Sequence, residues 1–452
     1  MRISYQKKRC VNSMKLPFEW DFYSDQPYQL KNRSFKKQMR SQSRLSVLKT
    51  IFTSLIILPS AMLIRFLIRD RPIDSKKFFG MSVNLDKEAR QSVHMIDELG
   101  VETLLIRMPL WEIERLVEYK SFCELFKDKE ITINIMQDRE HIEDKKLLEK
   151  NLSLIFESLG IYAHRFQIAT TINRAKWGFF GIDEYLEFYK IAFKLRNKSF
   201  QNIELLGPSV IDFEYHFTAH ALFNCHKLFF DGLSSLLYVD RRGAPEHTQL
   251  GFSLFDKIRL QRAMMMLSPK VGKKFYITET NWPISHTAPY APTSEHECVS
   301  EEDYAVFMLR YYLLTFATQQ VDTVFWHQLI APGYGLVDNR EGLRKRLAFN
   351  VFKTMIQQLQ NAQFLSYGVY NERDGEYNER DGEYISYGAF EDRHMLVVKN
   401  EVGDMSILWS EHEHSIHFVK PHVVFCFDGT RKVCSKAIIN KKPIYVYPEG
   451  EL

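Results

Sequence analysis

The sequence predicts a (β/α)8 barrel followed by a small antiparallel β-sandwich, with an apolar helix ahead of both. Three observations carry this. Between residues 77 and 361, short β-branched and aromatic runs alternate with helical segments. Eight such units over about 280 residues match the size of the barrel fold. After residue 362 the helical period stops, and short β-type runs separated by turns fill residues 362–452. Ahead of the barrel, Ile51 to Ile68 carries a single charge, Arg65.

Taken in order, residues 1–50 hold 12 Lys or Arg against three Asp or Glu. Such a segment buries too little apolar surface to fold alone, so a basic mobile stretch is expected. As a helix, residues 51–68 would reach about 27 Å, near the hydrocarbon thickness of a bilayer. Arg65, close to one end, can snorkel. A signal peptide would not begin so deep in the chain, and no Ala-x-Ala site follows. A buried core helix would need a sheath that the neighbouring sequence does not offer. A single-pass membrane anchor is therefore expected at 51–68, with a lipid membrane as partner. The basic excess before it outweighs Arg69, Arg71, Lys76 and Lys77 after it. That bias puts the amino end in the cytoplasm and the main domain on the periplasmic side of an inner membrane.

The expected barrel strands are Phe78 to Leu85, Thr103 to Met108, Ile131 to Met136, Phe166 to Thr171, Ile203 to Val210, Leu233 to Val239, Phe275 to Thr278 and Thr323 to His327. Helices fit between them, several ended by glycine, as at Gly100 and Gly160. A doubly wound open sheet is the alternative. No Gly-x-Gly-x-x-Gly follows any strand, which weakens a nucleotide-binding version. In the last domain, strands are expected at Phe364 to Tyr370, Ile385 to Phe390, Met395 to Lys399, Ser406 to Trp409, Ile416 to Val419, Val423 to Phe427 and Ile444 to Tyr447. One repeat sits there: Tyr370 to Glu376 recurs unchanged as Tyr377 to Glu383, and its Asp-Gly steps suit a hairpin tip.

Composition removes several classes. A net charge of +4 is too small to indicate nucleic-acid binding. Six scattered cysteines show no metal-like spacing, so neither a metal nor a disulfide framework is expected, and no cofactor motif appears.

The chemistry concentrates at Lys273 to Pro283. Phe275, Tyr276 and Ile277 read as a strand buried on both faces. Glu279 follows directly, with Asn281, Trp282 and Pro283 after it. A carboxylate at the end of a buried strand is costly to desolvate unless it is used. In a (β/α)8 barrel, that end is the catalytic face. The other strand ends add Arg107, Asp138, Thr170, Thr171, Asn173, Arg174, Ser209, Asp212, Glu214, Asp240, Arg241, Trp326, His327 and Gln328. Tyr215, Tyr290 and Tyr334 fall in the expected catalytic-face loops.

Across residues 78 to 360 this set resembles the clan-A glycoside hydrolases, whose nucleophile ends strand seven. Tyr276-Ile277-Thr278-Glu279 with Trp282-Pro283 is similar to that strand. Arg107 matches the strand-two arginine that holds the carboxylate ionised, and Trp326 the strand-eight aromatic beneath the sugar. The resemblance implies Glu279 as nucleophile or its activator, and Arg107, Trp282 and Trp326 as substrate contacts. Asn173, Arg174, Trp177, His327 and Tyr334 are further expected contacts, with Arg174 toward an anionic group.

One departure matters. Where the family has Gly-Asn-Glu at strand four, this chain has Ala169-Thr170-Thr171. A hydroxyl cannot replace a tuned carboxyl as proton donor. Asp212, Glu214 or Asp138 is left to supply the proton, and Asp212 is the leading choice. A ketosidic acid sugar would change the demands, because its own carboxylate repels a Glu nucleophile. Sialidases meet that case with a Tyr nucleophile activated by Glu. With the apolar segment and the substituted acid position, the chain is similar in character to a subunit of the two-component inner-membrane Kdo (3-deoxy-octulosonate) hydrolases, which trim lipopolysaccharide. A membrane-anchored hydrolase of an envelope glycan is the expectation, with a second hydrolase subunit as a possible partner. Two alternatives stand beside it: an inactive glycosidase-like subunit that presents glycan to a catalytic partner, and a soluble intracellular glycosidase.

Overall fold

The structure is a computed structural model that describes residues 16–370, 384–385 and 393–448. Its centre is a closed eight-stranded parallel barrel. The strands are β1 (Phe79–Val83), β2 (Thr103–Pro109), β3 (Glu130–Met136), β4 (Ala163–Ile168), β5 (Glu204–Ile211), β6 (Phe230–Leu236), β7 (Val271–Thr280) and β8 (Thr323–Trp326). They pair in sequence order, and β8 closes on β1 through Val324 opposite Phe79. Both faces of each strand are covered, so even polar strand residues such as Thr132, Asn134 and Gln167 are buried. Leu105, Leu206, Tyr276 and Phe325, from four different strands, form a separate buried cluster. Only the barrel interior lets those strands meet.

Among the described residues two long helices, α1 (Arg33–Gln42) and α2 (Arg44–Ile64), and the single turn Ser75–Phe78 precede the barrel. Beside the short helix Arg139–Glu143 after β3, eight longer ones follow the strands in turn: α3 (Ala89–Leu99), α4 (Leu116–Glu124), α5 (Lys145–Leu159), α6 (Ile182–Ser199), α7 (Tyr215–Leu222), α8 (Leu254–Leu267), α9 (Glu301–Ala317) and α10 (Leu347–Leu359). Their ends are chemically marked. Asp144 caps α5 by accepting from the Lys146 and Leu147 amides, and Ser253 with Asp256 forms a capping box on α8. Gly100 ends α3 at φ 74°, a left-handed value that favours glycine.

The last domain is one antiparallel sheet of seven strands. They are β9 (Gln363–Tyr370), β10 (Tyr384–Ile385), β11 (Arg393–Lys399), β12 (Asp404–Ser410), β13 (His414–Cys426), β14 (Arg431–Ile439) and β15 (Ile444–Tyr447). Ile407, Trp409, Tyr445 and Tyr447 join the barrel's core, while Leu408, Phe418, Val424 and Val446 form a second core on the other face. A register shift between His417 and His422 lets the long β13 bend, so the sheet folds over as a sandwich. The two segments expected at Ile416 to Val419 and Val423 to Phe427 are this one bent strand, and β14 was not anticipated. The heptapeptide repeat lies outside the described residues.

The amino-terminal part differs most from expectation. Residues 16–42 are not a free basic arm. Trp20–Asp21 pairs with Gln26–Pro27 in a short hairpin that packs on the barrel, and α1 follows. Arg44–Leu67 is long and apolar enough to cross a membrane, with a mean hydropathy of 2.0.

Candidate active site

The mouth at the carboxyl ends of the strands is organised by Glu279. Tyr276 points into the barrel with Leu105, Leu206 and Phe325. Strict alternation would turn Glu279 away from Tyr276. The ladder to β8 instead slips between Ile277, opposite Val324, and Thr280, opposite Trp326. The extra residue is a bulge, a device that re-aims a side chain next to a site. Glu279 is partly exposed, and its Oε1 accepts a 2.6 Å hydrogen bond from the Tyr238 hydroxyl.

Tyr238 stands two residues beyond β6 and was not singled out from the sequence. The signal was present but misread: a strand expected to run to Val239 stops at Leu236, which releases Tyr238 into the mouth. The Arg242 guanidinium lies 3.9 Å from its ring centroid. Burial first, and then the Glu279 carboxylate, push the phenol well above its ordinary value, so it stays a proton donor. His327 follows β8 with its ring parallel to Tyr334, centroids 5.4 Å apart. Burial drags its pKa down to about 4; Glu279 opposes that shift and Arg107 reinforces it.

The chain's own amino-terminal hairpin occupies part of this mouth. The Asp25 carbonyl accepts from Arg107 at 3.2 Å, and the Asp25 carboxylate meets Lys87 at 3.2 Å. Tyr334 donates to the Ser24 carbonyl, Lys176 to Gln26, and Gln26 to the Pro292 carbonyl. Trp20 packs against Trp111 and edge-on to Trp177. Lys176, largely desolvated beneath the hairpin, has its pKa pulled down to about 8, with Glu279 opposing the shift.

Beside the hairpin a cavity of about 350 Å³ stays open between β4, β5 and β6. Arg174, Asp212, Glu214, Tyr238, Arg242 and Glu297 are among its walls. Arg174 donates to both Asp212 and Glu214 at 2.7 Å. Asn173 bridges the Ile211 backbone and Glu214. The volume lies within the range of small-molecule sites.

Several expected contacts change character. Arg107 projects to the mouth above Leu105 but forms no ion pair with Glu279; its Nε meets Met136 Sδ at 3.0 Å. Trp282 and Trp326 are fully buried, stacked on each other with centroids 6.0 Å apart. Their N–H groups donate to the Arg242 and Gly243 carbonyls and to the Tyr304 hydroxyl. Neither can be a sugar platform. Alternation explains Trp326: Phe325 faces the barrel interior, so its neighbour faces the helix layer. Trp177, His327 and Tyr334 are buried too, and Tyr334 holds the hairpin. Thr171 is 3% exposed at the end of β4, where the resembling family has its acid. Among the described residues no cluster of three or more His, Cys, Asp or Glu could hold a metal.

No family model matches the sequence, and no curated protein matches it. Solved structures do. A GH51 arabinofuranosidase from Xanthomonas axonopodis pv. citri superposes with a TM-score of 0.54 at 12% identity, covering 84% of this chain and 97% of its own. A GH30 endoxylanase from Clostridium papyrosolvens C71 gives 0.52 at 11%, covering 83% and 96%. A GH39 β-xylosidase from Caulobacter crescentus gives 0.52 at 10%, covering 84% and 98%. At such identity the shared property is architecture: this chain has the fold of these glycoside hydrolases, a closed (β/α)8 barrel with a carboxyl-terminal β-domain.

Proposed function

We propose that the protein is a glycoside hydrolase, or the hydrolytic subunit of one, that removes an acidic keto sugar of the Kdo type from lipopolysaccharide at the surface of the inner membrane. The observation that carries this reading is the Tyr238–Glu279 pair at the mouth. A ketosidic acid carries its carboxylate on the anomeric carbon and repels an anionic nucleophile. Tyr238 is neutral, and Glu279 is placed to take its proton as the phenol oxygen attacks. The glycosidic C–O bond breaks as the C–O bond to Tyr238 forms; Asp212, freed from its Arg174 ion pair when the substrate carboxylate binds that guanidinium, takes up a solvent proton and gives it to the leaving oxygen, and water then cleaves the tyrosyl intermediate. Arg241 and Arg242 in the cavity wall, with Arg174 once it exchanges Asp212 for the substrate carboxylate, supply positive charge for an anionic substrate.

The second reading is a subunit that holds glycan for a catalytic partner. Thr171 and the hairpin in the mouth favour it. The test is the lipopolysaccharide mass profile of cells lacking the chain, complemented with wild type, Glu279→Gln or Asp212→Asn. Under the hydrolase reading the deletion gains one acidic sugar, wild type removes it, and Glu279→Gln fails to. Full complementation by Glu279→Gln would overturn it in favour of the binding subunit.

A further inference from the structure

The apolar helix has two unlike faces. Its inner face is narrow and small: Ser46, Thr50 and Ala61 are buried, and Ser54 is half-buried. This face crosses the outside of the barrel from the start of α6, over α7, to the start of α8. Ser46 Oγ accepts from the Asp183 amide, and Lys49 pairs with the Asp183 carboxylate at 2.9 Å. Thr50 shares a 2.8 Å hydrogen bond with His220, and Ser54 donates to the His216 carbonyl. Arg65 faces Asp256 and lies over the Phe252 ring. At Gly181 even a Cβ would sit 3.0 Å from Ser46 Oγ, so the helix approaches as closely as glycine permits. The outer face is a wall of large side chains: Leu48, Ile51, Phe52, Leu55, Leu63 and Phe66 are all more than half exposed.

A spanning helix would leave the chain before it and after it on opposite sides of a bilayer. Here both ends rest on one body. Before the helix, the hairpin at 20–27 is held in the barrel mouth by Arg107, Tyr334 and Lys176. After it, Arg71 pairs with Asp322 at 2.6 Å at the foot of β8.

We infer that α2 lies in the plane of an anionic phospholipid surface, its outer wall inserted among the acyl chains and its inner stripe held on the barrel. This rests on the membrane-surface part of the function proposed above and not on the catalytic assignment. Charge selects lipid as the occupant. Residues 29–68 contain eight Lys or Arg and no Asp or Glu. Of these, Arg33, Lys36, Lys37, Arg40 and Arg44 line one open basic groove along α1. A basic segment joined to an exposed apolar helical face is the composition of an interfacial helix. The placement also serves the site: Lys36 and Arg40 share a second groove with Asn173, Arg174 and Lys176, so lipid-facing cations run on to the mouth. A lipid-linked glycan would reach the cavity from the side, without leaving the bilayer.

The test uses the full chain in two ways. In flotation with phosphatidylglycerol–phosphatidylethanolamine vesicles, wild type binds. Leu55→Glu/Leu63→Glu, at positions 70% and 72% exposed, loses at least tenfold in binding with unchanged circular dichroism. Lys36→Gln/Lys37→Gln loses severalfold, and that loss disappears at high salt. Second, an impermeant maleimide applied to sealed membrane vesicles reacts at position 41 of a Ser41→Cys variant from the same side as at exposed Cys225. Labelling from opposite sides overturns the in-plane placement while leaving the hydrolase reading intact. Absence of vesicle binding, with a wild-type dimer that the double Glu variant dissolves, would assign the wall to self-association and also overturn it.

Discussion

Replacing Tyr238 by Phe separates two roles that the same geometry permits. The substitution removes one oxygen. It keeps the ring that Arg242 covers at 3.9 Å and the packing of a side chain that is 5% exposed. The fold therefore stays, and what is lost is the 2.6 Å bond to Glu279. If Tyr238 only positions a Glu279 nucleophile, the loss is that of one hydrogen bond to a charged group. That is about 1.5–3 kcal/mol, or roughly 10- to 150-fold in rate at about 1.4 kcal/mol per decade. If Tyr238 is itself the nucleophile, no bond to the anomeric carbon can form. Removing a nucleophile costs on the order of 10⁴-fold or more. The assay is single-turnover release of the acidic sugar from purified lipopolysaccharide, with substrate binding measured separately. The proposed mechanism requires the larger loss with binding kept within about threefold. A loss below about 150-fold would transfer the nucleophile to Glu279. Wild-type rates in both Tyr238→Phe and Glu279→Gln would remove the pair from the chemistry.

Two further outcomes concern stability. Arg310 is wholly buried between the barrel and the β-domain, paired with Glu246 and Glu411, while Trp409 also donates to Glu246. Arg310→Met strands the mostly buried Glu246 charge and should cost about 3–5 kcal/mol in urea unfolding; adding Glu246→Gln should recover much of it, and no recovery would refute the charge argument. His327 is buried neutral, with its folded pKa near 4 against an ordinary 6.5. The unfolded chain then binds the extra proton between those values, so stability rises with pH across that window and is lost as pH falls through it, by up to about 3 kcal/mol. Thermal melts from pH 7 to pH 4.5 should show this slope in wild type and a shallower one in His327→Gln; parallel slopes would refute it.

The barrel was legible because its signals are local. Eight buried strands need runs of Val, Ile, Leu and Phe of strand length, and the helices between them need caps, wherever the rest of the chain goes. Glu279 was legible for the same reason: a charge directly after a buried run is conspicuous. Trp282 shows where local reading stops. An indole three residues from a carboxylate reads as a platform, yet after the bulge in β7 it points outward, against Phe307 and Tyr311 of α9. Likewise Asp212, Arg174 and Asn173 were named one by one, but nothing in their spacing says that Arg174 ties Asp212 to Glu214.

The amino-terminal segment marks the boundary most sharply. Charge and hydropathy alone determined that residues 29–68 are basic, then apolar, and long enough for a bilayer, because both properties add up residue by residue. Where that helix rests is a contest between lipid and the small, polar-edged stripe facing α6, α7 and α8. Whether the chain before it floats free or fills the mouth depends on partners more than eighty residues away, such as Arg107 and Tyr334. Contacts of that span leave no periodic trace in a sequence. Only the closed barrel, by bringing the ends of eight strands to one rim, decided them.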